Sequence, residues 1–295
     1  MGINQINLTT PVVLAFASAF LFAVGVQLQN LGLKYGRSQT GALISMLGST
    51  VLFWLFSPWF LQLWYWGTSA VVIFALVGVF RPFLTSNLAI SGIRHLGPTL
   101  TSILASTAPV FAAFFAIVIL GETLTIPIAL GTLTIVLAIG LLARKSEAKS
   151  TWPVWALALP IGAAVLRALG HALTKLGLDI IPDPLFAGLV SYTVSLVIAL
   201  GSALGQQKRA PARLRWTPGL LWFFCGGIVN GISIWSLNTA LHLGEVVKII
   251  PIVALSPVFT LLLGLFVFRR ETLTLRIVLA LLLIVPGVIL VASGH

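Results

Sequence analysis

The stretch that begins His95-Leu96-Gly97 continues with Pro109-Val110-Phe111 and Gly121-Glu122-Thr123-Leu124-Thr125, and it recurs later in the chain. The second copy reads His242-Leu243-Gly244, then Pro257-Val258-Phe259 and Arg270-Glu271-Thr272-Leu273-Thr274. The spacing between successive anchors drifts by only one residue between the copies, and an apolar run follows each one. This order predicts that the chain is a duplication.

The amino-acid composition indicates that the chain lies in a lipid bilayer and not in water. With 59% hydrophobic residues, 8% charged residues and a mean hydropathy of +1.10, the chain has too few polar groups to coat a soluble surface. A helix needs about 20 residues to cross a bilayer. The 295 residues therefore accommodate about ten transmembrane spans joined by short loops.

The apolar runs place five of these spans in each copy. We predict the first five at residues 11–33, 40–60, 70–93, 98–120 and 126–143. We predict the second five at residues 152–176, 184–204, 218–241, 246–268 and 275–292. The polar linker 144–150 divides the chain into two five-helix repeats, residues 1–145 and 146–295.

The basic residues are distributed unevenly among the loops. Of 17 Lys and Arg residues, 13 fall in loops that follow odd-numbered spans. These 13 are Lys34, Arg37, Arg94, Arg144, Lys145, Lys149, Lys208, Arg209, Arg213, Arg215, Arg269, Arg270 and Arg276. This pattern places the odd loops in the cytoplasm and both termini outside, as for a multi-pass protein of the bacterial inner membrane. The net charge of +11 therefore needs no nucleic acid as a partner.

An odd number of spans per copy fixes how the two copies relate. Two directly joined copies of five spans must enter the membrane in opposite senses, so the repeat is inverted. Inverted repeats are the architecture of secondary transporters, which bind their substrate at the repeat interface near the membrane midplane. We therefore expect an all-α protein of ten transmembrane helices with a site between the repeats.

The paired Pro-Val-Phe and Glu-Thr-Leu-Thr hairpins, with the five-plus-five duplication, resemble the drug/metabolite transporter superfamily and its EamA-type exporters. The resemblance covers nearly the whole chain. It implies export of a small molecule through a central cavity lined by the third, fourth, eighth and ninth spans together with the first and sixth. It also implies that the fifth and tenth spans are peripheral.

The polarity of the fifth and tenth spans agrees with a peripheral place. Thr132 and Thr134 are the only polar residues of the fifth span, and the tenth has none between Ile277 and Val291. Such helices contact lipid or a second subunit. A homodimer through these two spans is therefore one hypothesis.

Cationic side chains inside the spans are the principal candidates for substrate binding. Arg167, His171 and Lys175 follow one another at steps of four on the sixth span, which stacks them along one helix face over about 12 Å. Arg81 lies near the middle of the third span, directly before Pro82.

An arginine in hydrocarbon costs about 2.5–3.5 kcal/mol on insertion scales, so Arg81 and Arg167 should face a cavity or a partner. All six acidic residues fall at helix ends or in loops. We therefore expect an anionic substrate to be the counter-ion. A second interpretation is structural, in which these arginines bond to carbonyls freed by Pro82 and Pro160. His171 is expected either to sense protons or to pack as a hydrogen-bonded histidine.

Neutral polar and aromatic side chains complete the predicted binding site. Asn87 of the third span and Asn230 of the eighth span offer amide groups within apolar helices. Trp235, also on the eighth span, lies deep enough to stack on a ring-bearing ligand.

Four residues are predicted to act in gating or coupling. Pro109 and Pro257 lie inside the fourth and ninth spans, where they bend the helices. Lys248 follows Glu245 at the start of the ninth span and forms either an ion pair or a gate. For Lys175 the alternative is snorkelling to the membrane surface.

The hairpin acids are predicted to have a structural role. Glu122 and Glu271 each precede Thr-Leu-Thr at the start of a helix, where an acid stabilises the exposed amides, so we interpret them as hairpin caps.

Catalytic and metal sites lack support in the sequence. The single cysteine, Cys225, allows no internal disulfide or cysteine-based zinc site, and the four histidines show no ligand spacing. We therefore expect no enzymatic activity, no cofactor and no metal.

The sequence favours a secondary transporter that exports a small anionic or zwitterionic metabolite, such as an amino-acid-like compound or an organic acid, by alternating access. Two alternatives stay open. One is a flippase or carrier subunit for a lipid-linked anion. The other is a membrane scaffold without transport activity, in which the intramembrane arginines are permanently bonded within the protein.

Overall fold

The computed structural model describes residues 3–36, 38–143, 153–207, 217–268 and 274–294. Within these ranges the regular secondary structure consists of α-helices and two short 3-10 turns, Leu63–Gly67 and Val154–Leu157. Eight segments are long and apolar enough to cross a membrane, and two shorter apolar helices occupy the positions of the fifth and tenth spans. The predicted class is confirmed: the chain is an all-α, multi-pass membrane protein.

The helices are numbered in chain order. The first repeat contains α1 (Ile3–Gly32), α2 (Ser38–Phe60), α3 (Ser69–Phe80), α4 (Phe83–Leu96), α5 (Pro98–Ala105), α6 (Ala108–Leu120) and α7 (Ile126–Ala143). The second contains α8 (Ala158–Ile180), α9 (Pro184–Gln207), α10 (Pro218–Leu243), α11 (Val246–Val253), α12 (Ser256–Phe266) and α13 (Leu275–Ser293).

The third span, expected to be one helix, is divided into α3 and α4. Arg81 separates them and has an extended backbone, with φ −122° and ψ 132°. Proline has no N–H for the helical ladder, and it disfavours the α conformation of the residue before it. Pro82 therefore ends α3, and the break fixes Arg81 between two helices in the middle of the membrane.

The fourth and ninth spans are also divided, at corresponding places in the two repeats. Pro109 is the second residue of α6 and Pro257 the second residue of α12, and each follows a two-residue break. In the fourth span the Ser106 hydroxyl donates to the Ile103 carbonyl at 2.7 Å, which satisfies one carbonyl at the end of α5. The prolines thus produce full breaks where the sequence predicted bends.

Close helix crossings are made by glycines. A Cβ at Gly131 of α7 would lie 2.6 Å from the Gly287 carbonyl oxygen of α13, and a Cβ at Gly78 of α3 would lie 2.5 Å from the Ser191 carbonyl oxygen of α9. In a bilayer, helices associate through such close packing of small residues. These glycines let the backbones approach where any side chain would keep them apart.

The fifth and tenth spans, α7 and α13, pack against each other. Their outward faces carry exposed leucines, with Leu137 60% and Leu282 65% exposed. A large apolar outer face is what lipid contact requires. A homodimer through this face stays a prediction.

Gly227 of α10 offers a test of this packing. A Cβ there would overlap the Ser45 carbonyl oxygen of α2, which belongs to backbone and cannot rotate away. Gly227→Ala is therefore expected to destabilise the protein by about 1–3 kcal/mol, the usual cost of overpacking, and to lower the melting temperature in detergent. Gly201→Ala is the matched control, because nothing lies within 4 Å of a Cβ at Gly201 and alanine favours a helix. Equal melting temperatures for the two variants would contradict the tight crossing.

The two ends of the bundle carry different residues. The linker end contains the end of α1, the start of α2 and the end of α7. The Glu122 end contains the end of α6 and the start of α11, since the Glu122 carboxylate contacts Val246 and Val247 there. The charge bias of the loops predicts that the linker end is the cytoplasmic one.

Candidate functional site

A cavity of about 580 Å³ lies between the two repeats. Its lining includes Gln29, Ala42 and Leu142, which all lie within about one helical turn of the linker end. Towards the Glu122 end the lining reaches Leu237 and Ile250 but not the last turn of either α6 or α10. The cavity therefore extends to the linker end and is closed at the Glu122 end.

Arg167 of α8 presents a cation to this cavity. The residue lines the cavity and is exposed there, although it lies in the middle of a spanning helix. In the part of the chain that the structure describes, its guanidinium has no hydrogen-bond or ion-pair partner. Five N–H donors of a permanent cation are thus available to a ligand.

Arg81 also lines the cavity, but it is bonded to the protein. Its Nη1 donates to Nδ1 of His171 at 3.1 Å. A guanidinium only donates, so Nδ1 must be the acceptor and the imidazole is neutral with its proton on Nε2. Gly170 leaves room for this contact, because a Cβ there would lie 2.5 Å from Cδ of Arg81. The break at Arg81 thus joins the third span to the sixth.

The charge of the cavity is uncompensated. Its lining contains Arg81 and Arg167 but no Asp or Glu among the described residues. Charges of one sign along a cavity with low-dielectric walls attract ions of the opposite sign. The arrangement favours a ligand that brings a negative charge.

Tyr192 and Asn230 form a neutral polar part of the lining. Nδ2 of Asn230 is 3.2 Å from the Tyr192 hydroxyl, while its Oδ1 is buried without a hydrogen bond among the described residues. Sequence reasoning predicted Asn230 but missed Tyr192. The available signal was a tyrosine in the middle of the seventh span, directly between Ser191 and Thr193.

Two predicted binding residues lie outside the cavity lining. Asn87 is exposed and donates to the carbonyl of Phe83, four residues earlier on α4, at 3.0 Å. Trp235 packs against Phe56 and Phe60 of α2, with ring centroids 5.7 Å and 5.5 Å away. Both face away because the faces of α4 and α10 that line the cavity are occupied by other residues.

The predicted gating residues divide between the cavity and the Glu122 end. Pro109 and Pro257 line the cavity. Lys175 donates to the His242 carbonyl at 3.3 Å, and so joins α8 to α10 near their ends. Lys248 pairs with Glu245 at 2.8 Å, which is the ion pair predicted as the alternative to a gate.

Glu122 makes a contact that sequence reasoning assigned differently. Its Oε1 accepts from the Val246 amide at 2.8 Å and its Oε2 from the Val247 amide at 2.9 Å. It therefore caps α11 of the second repeat, whereas we expected it to cap its own hairpin. Burial raises the pKa of this carboxyl, and the two amide hydrogen bonds oppose that effect. The other predicted cap, Glu271, lies outside the described residues.

Sequence and structure comparisons agree with this architecture. The profile of the EamA-like transporter family matches residues 9–144 and 154–293, one segment in each half of the chain. One crystal structure, whose title names no particular protein, is similar in fold, with a TM-score of 0.79 and 17% sequence identity. That similarity covers 97% of this chain and 96% of the other. The chain matches no curated protein. Since the two matched segments span nearly the whole chain, it belongs to the EamA-like transporter family.

Proposed function

We propose that this transporter carries a small anionic or zwitterionic metabolite out of the cell by alternating access. The observation that carries the proposal is Arg167, a cation without a partner among the described residues in a cavity whose described lining has no carboxylate. Amino-acid-like compounds and organic acids supply the missing negative charge and fit a volume of about 580 Å³.

The free-energy cost of arginines within the membrane supports an anion bound during the transport cycle. An arginine within the membrane costs about 2.5–3.5 kcal/mol on insertion scales. Arg81 offsets part of its cost by bonding to His171, but Arg167 has no such bond in the described residues. An anion would stabilise both guanidinium groups at once. The scaffold hypothesis expected both arginines to be bonded within the protein, so Arg167 favours transport.

The shape of the cavity supports alternating access and export. The cavity extends to the linker end, which the loop charges place in the cytoplasm of a bacterial inner membrane with both termini outside. The Glu122 end is closed by contacts between the repeats. Substrate therefore enters from the cytoplasm, and the opposite end must open for release.

Ligand-dependent thermal stability tests the proposal directly. The purified protein is heated with panels of anionic, zwitterionic and cationic metabolites of similar size. A ligand that binds only the folded state raises its melting temperature, and we expect this from members of the first two panels. Stabilisation by cations alone would overturn the proposal. An active compound is then tested for export in proteoliposomes, where absence of movement would also contradict it.

A further inference from the structure

His171 is a titratable side chain of the cavity that the proposed function leaves unused. The titratable residues in the described lining are Arg81, Arg167, His171 and Tyr192. Ordinary arginine and tyrosine side chains keep one protonation state between pH 5 and 8, whereas histidine changes its state in this range. His171 is therefore the group in this lining that can take up or release a proton when a ligand binds.

Arg81 and a proton compete for the same atom of His171. Nη1 of Arg81 donates to Nδ1 at 3.1 Å, so the lone pair of Nδ1 is engaged in this hydrogen bond. The ring proton is on Nε2, and a second proton can bind only at Nδ1. Protonation of His171 therefore requires Arg81 to leave Nδ1, and the imidazole is neutral in the arrangement that the structure shows.

Positive charges lie near the imidazole. Arg81, at the break between α3 and α4, and Arg167, one turn earlier on α8, both act on it electrostatically. Lys175, one turn later on α8, is bonded to the His242 carbonyl. Tyr192 is the titratable side chain that α9 contributes to the lining. The two arginines therefore repel a proton on His171, and the described lining has no carboxylate to offset them.

Other helices that pack against α8 also carry titratable side chains, but these lie outside the cavity lining. They are Arg94 and His95 of α4, Cys225 and His242 of α10, and Lys248 of α11. The charge that acts on His171 within the cavity is therefore that of the two arginines.

A bound anion removes both obstacles to protonation. A carboxylate offers Arg81 a charged acceptor in place of a neutral imidazole nitrogen, and charge-assisted hydrogen bonds are the stronger ones. Its negative charge also offsets the repulsion from the two arginines. His171 is only 5% exposed, so Nδ1 without Arg81 would be a buried acceptor with no partner, which is costly. A proton makes Nδ1 a donor to the anion.

Anion binding and proton binding therefore favour each other. The coupling is reciprocal: an anion that strengthens proton binding at His171 is itself bound more tightly when the proton is present. We propose that His171 binds a proton together with the anion, so that the transporter carries the two as a pair. This inference rests on the proposed function and adds a proton as the second substrate.

The pair leaves the net charge of the cavity unchanged. One monovalent anion with one proton adds no charge to that of Arg81 and Arg167. The empty and the loaded cavity then carry the same charge, so transport of a monovalent anion moves no net charge and the membrane potential does not drive it. Export requires an outward gradient of the anion that exceeds any inward gradient of protons.

Proton uptake is measured by isothermal titration calorimetry of the purified protein. Benzoate, lactate and glutamate, each with a single net negative charge at neutral pH, are titrated in HEPES and in Tris buffer. These buffers differ in ionisation enthalpy, so the difference between the two binding enthalpies gives the number of protons taken up. We expect about one proton per bound anion, and an affinity that rises by up to about tenfold for each unit decrease in pH.

Histidine variants identify the group that takes up the proton. His171→Asn keeps an oxygen acceptor for Arg81 close to the place of Nδ1, but it does not titrate. It should bind the same anions without proton uptake and with an affinity that no longer depends on pH. His242→Asn is the matched control and should keep the uptake, because His242 lies outside the lining and Lys175 bonds to its backbone carbonyl. His171→Gln serves the same purpose if His171→Asn does not fold.

Transport in proteoliposomes tests whether the anion and the proton move as a pair. The rate for the same anion is measured with and without a membrane potential imposed by K⁺ and valinomycin. The potential should not change the rate in the wild type. It should change the rate in His171→Asn, which carries the anion alone.

The outcomes separate this inference from the proposed function. If an anion binds in a way that depends on Arg167 but without proton uptake, His171 is not a proton site and the proposed function stands. If His171→Asn takes up protons as the wild type does, another group binds the proton and the inference is wrong. If none of the three anions binds, both proposals fail.

Discussion

Replacing Arg167 with alanine is expected to weaken the binding of anionic and zwitterionic ligands by about 10- to 100-fold, the value of a charge-assisted hydrogen bond. Thermal stability without ligand should stay unchanged or rise. The reason is that Arg167 has no partner among the described residues, so its removal breaks no bond and relieves a cation held within the membrane. Calorimetric binding and a thermal scan of the same preparation measure both quantities.

Arg81 provides the contrast that makes this prediction specific. Arg81→Ala should lower affinity and also lower stability, since it leaves the acceptor Nδ1 of His171 unpaired in a residue that is only 5% exposed. An unsatisfied buried group of this kind costs about 1–3 kcal/mol. Arg167→Lys retains the charge and should recover part of the binding. A large loss of stability in Arg167→Ala, with unchanged ligand affinity, would show that Arg167 is structural.

Glu122→Ala is expected to open the Glu122 end of the cavity. The substitution leaves the amides of Val246 and Val247 without acceptors, and these residues are 0% and 1% exposed. The cost is about 1–3 kcal/mol for each amide, so the closed arrangement should become at least about tenfold less populated. Leu237→Cys reports on this change, because Leu237 lines the cavity near its closed end. The experiment uses a background in which Cys225, the single cysteine, is replaced by serine. In that background, a membrane-impermeant maleimide should label Leu237→Cys faster when Glu122→Ala is also present.

Glu245→Ala is the matched control for Glu122. Glu245 adjoins α11 but caps no amide, and its half-exposed pair with Lys248 contributes only about 0–1 kcal/mol. Labelling of Leu237→Cys should therefore change little. Equal labelling in Glu122→Ala and in the wild type would show that this contact does not hold the end closed.

The pH dependence of Glu122 has a definite sign. Burial raises the pKa of its carboxyl above the ordinary 4.5, so the folded protein holds this proton more tightly than the unfolded chain. The contribution to stability is fully present below pH 4.5 and is lost as the pH rises through the raised value. Lys175 and Glu245 are the charged groups that act on this carboxyl. Glu122→Gln, which does not titrate, should therefore gain stability relative to the wild type as the pH rises through this window.

Much of the architecture could be predicted from the sequence because it depends on local composition and on the odd number of spans in each copy. The two hairpin copies, the ten apolar runs and the loop charges require no knowledge of contacts. Arg81 and Arg167 were identified because a cation within an apolar run is conspicuous wherever the helices pack. The peripheral pair α7 and α13 followed from the near absence of polar residues.

The helix breaks in the third, fourth and ninth spans were less predictable, because a proline within a span can either bend the helix or divide it. Pro82, Pro109 and Pro257 all divide their spans, whereas Pro286 stays inside α13. The difference depends on whether neighbouring groups can satisfy the freed backbone. That information lies in the packing of other helices and not in the local sequence.

The sequence by itself determined that this protein spans a membrane as two five-span repeats with cations inside their spans, because hydropathy, the number of spans and charge can be read without knowledge of contacts. Only the tertiary structure decided which polar groups meet. Arg81 contacts His171 across two helices, Arg167 has no hydrogen-bond partner among the described residues, and Glu122 caps a helix of the other repeat. The physical reason is that helix rotation and register, which are set by close packing over the whole bundle, decide the direction of each side chain.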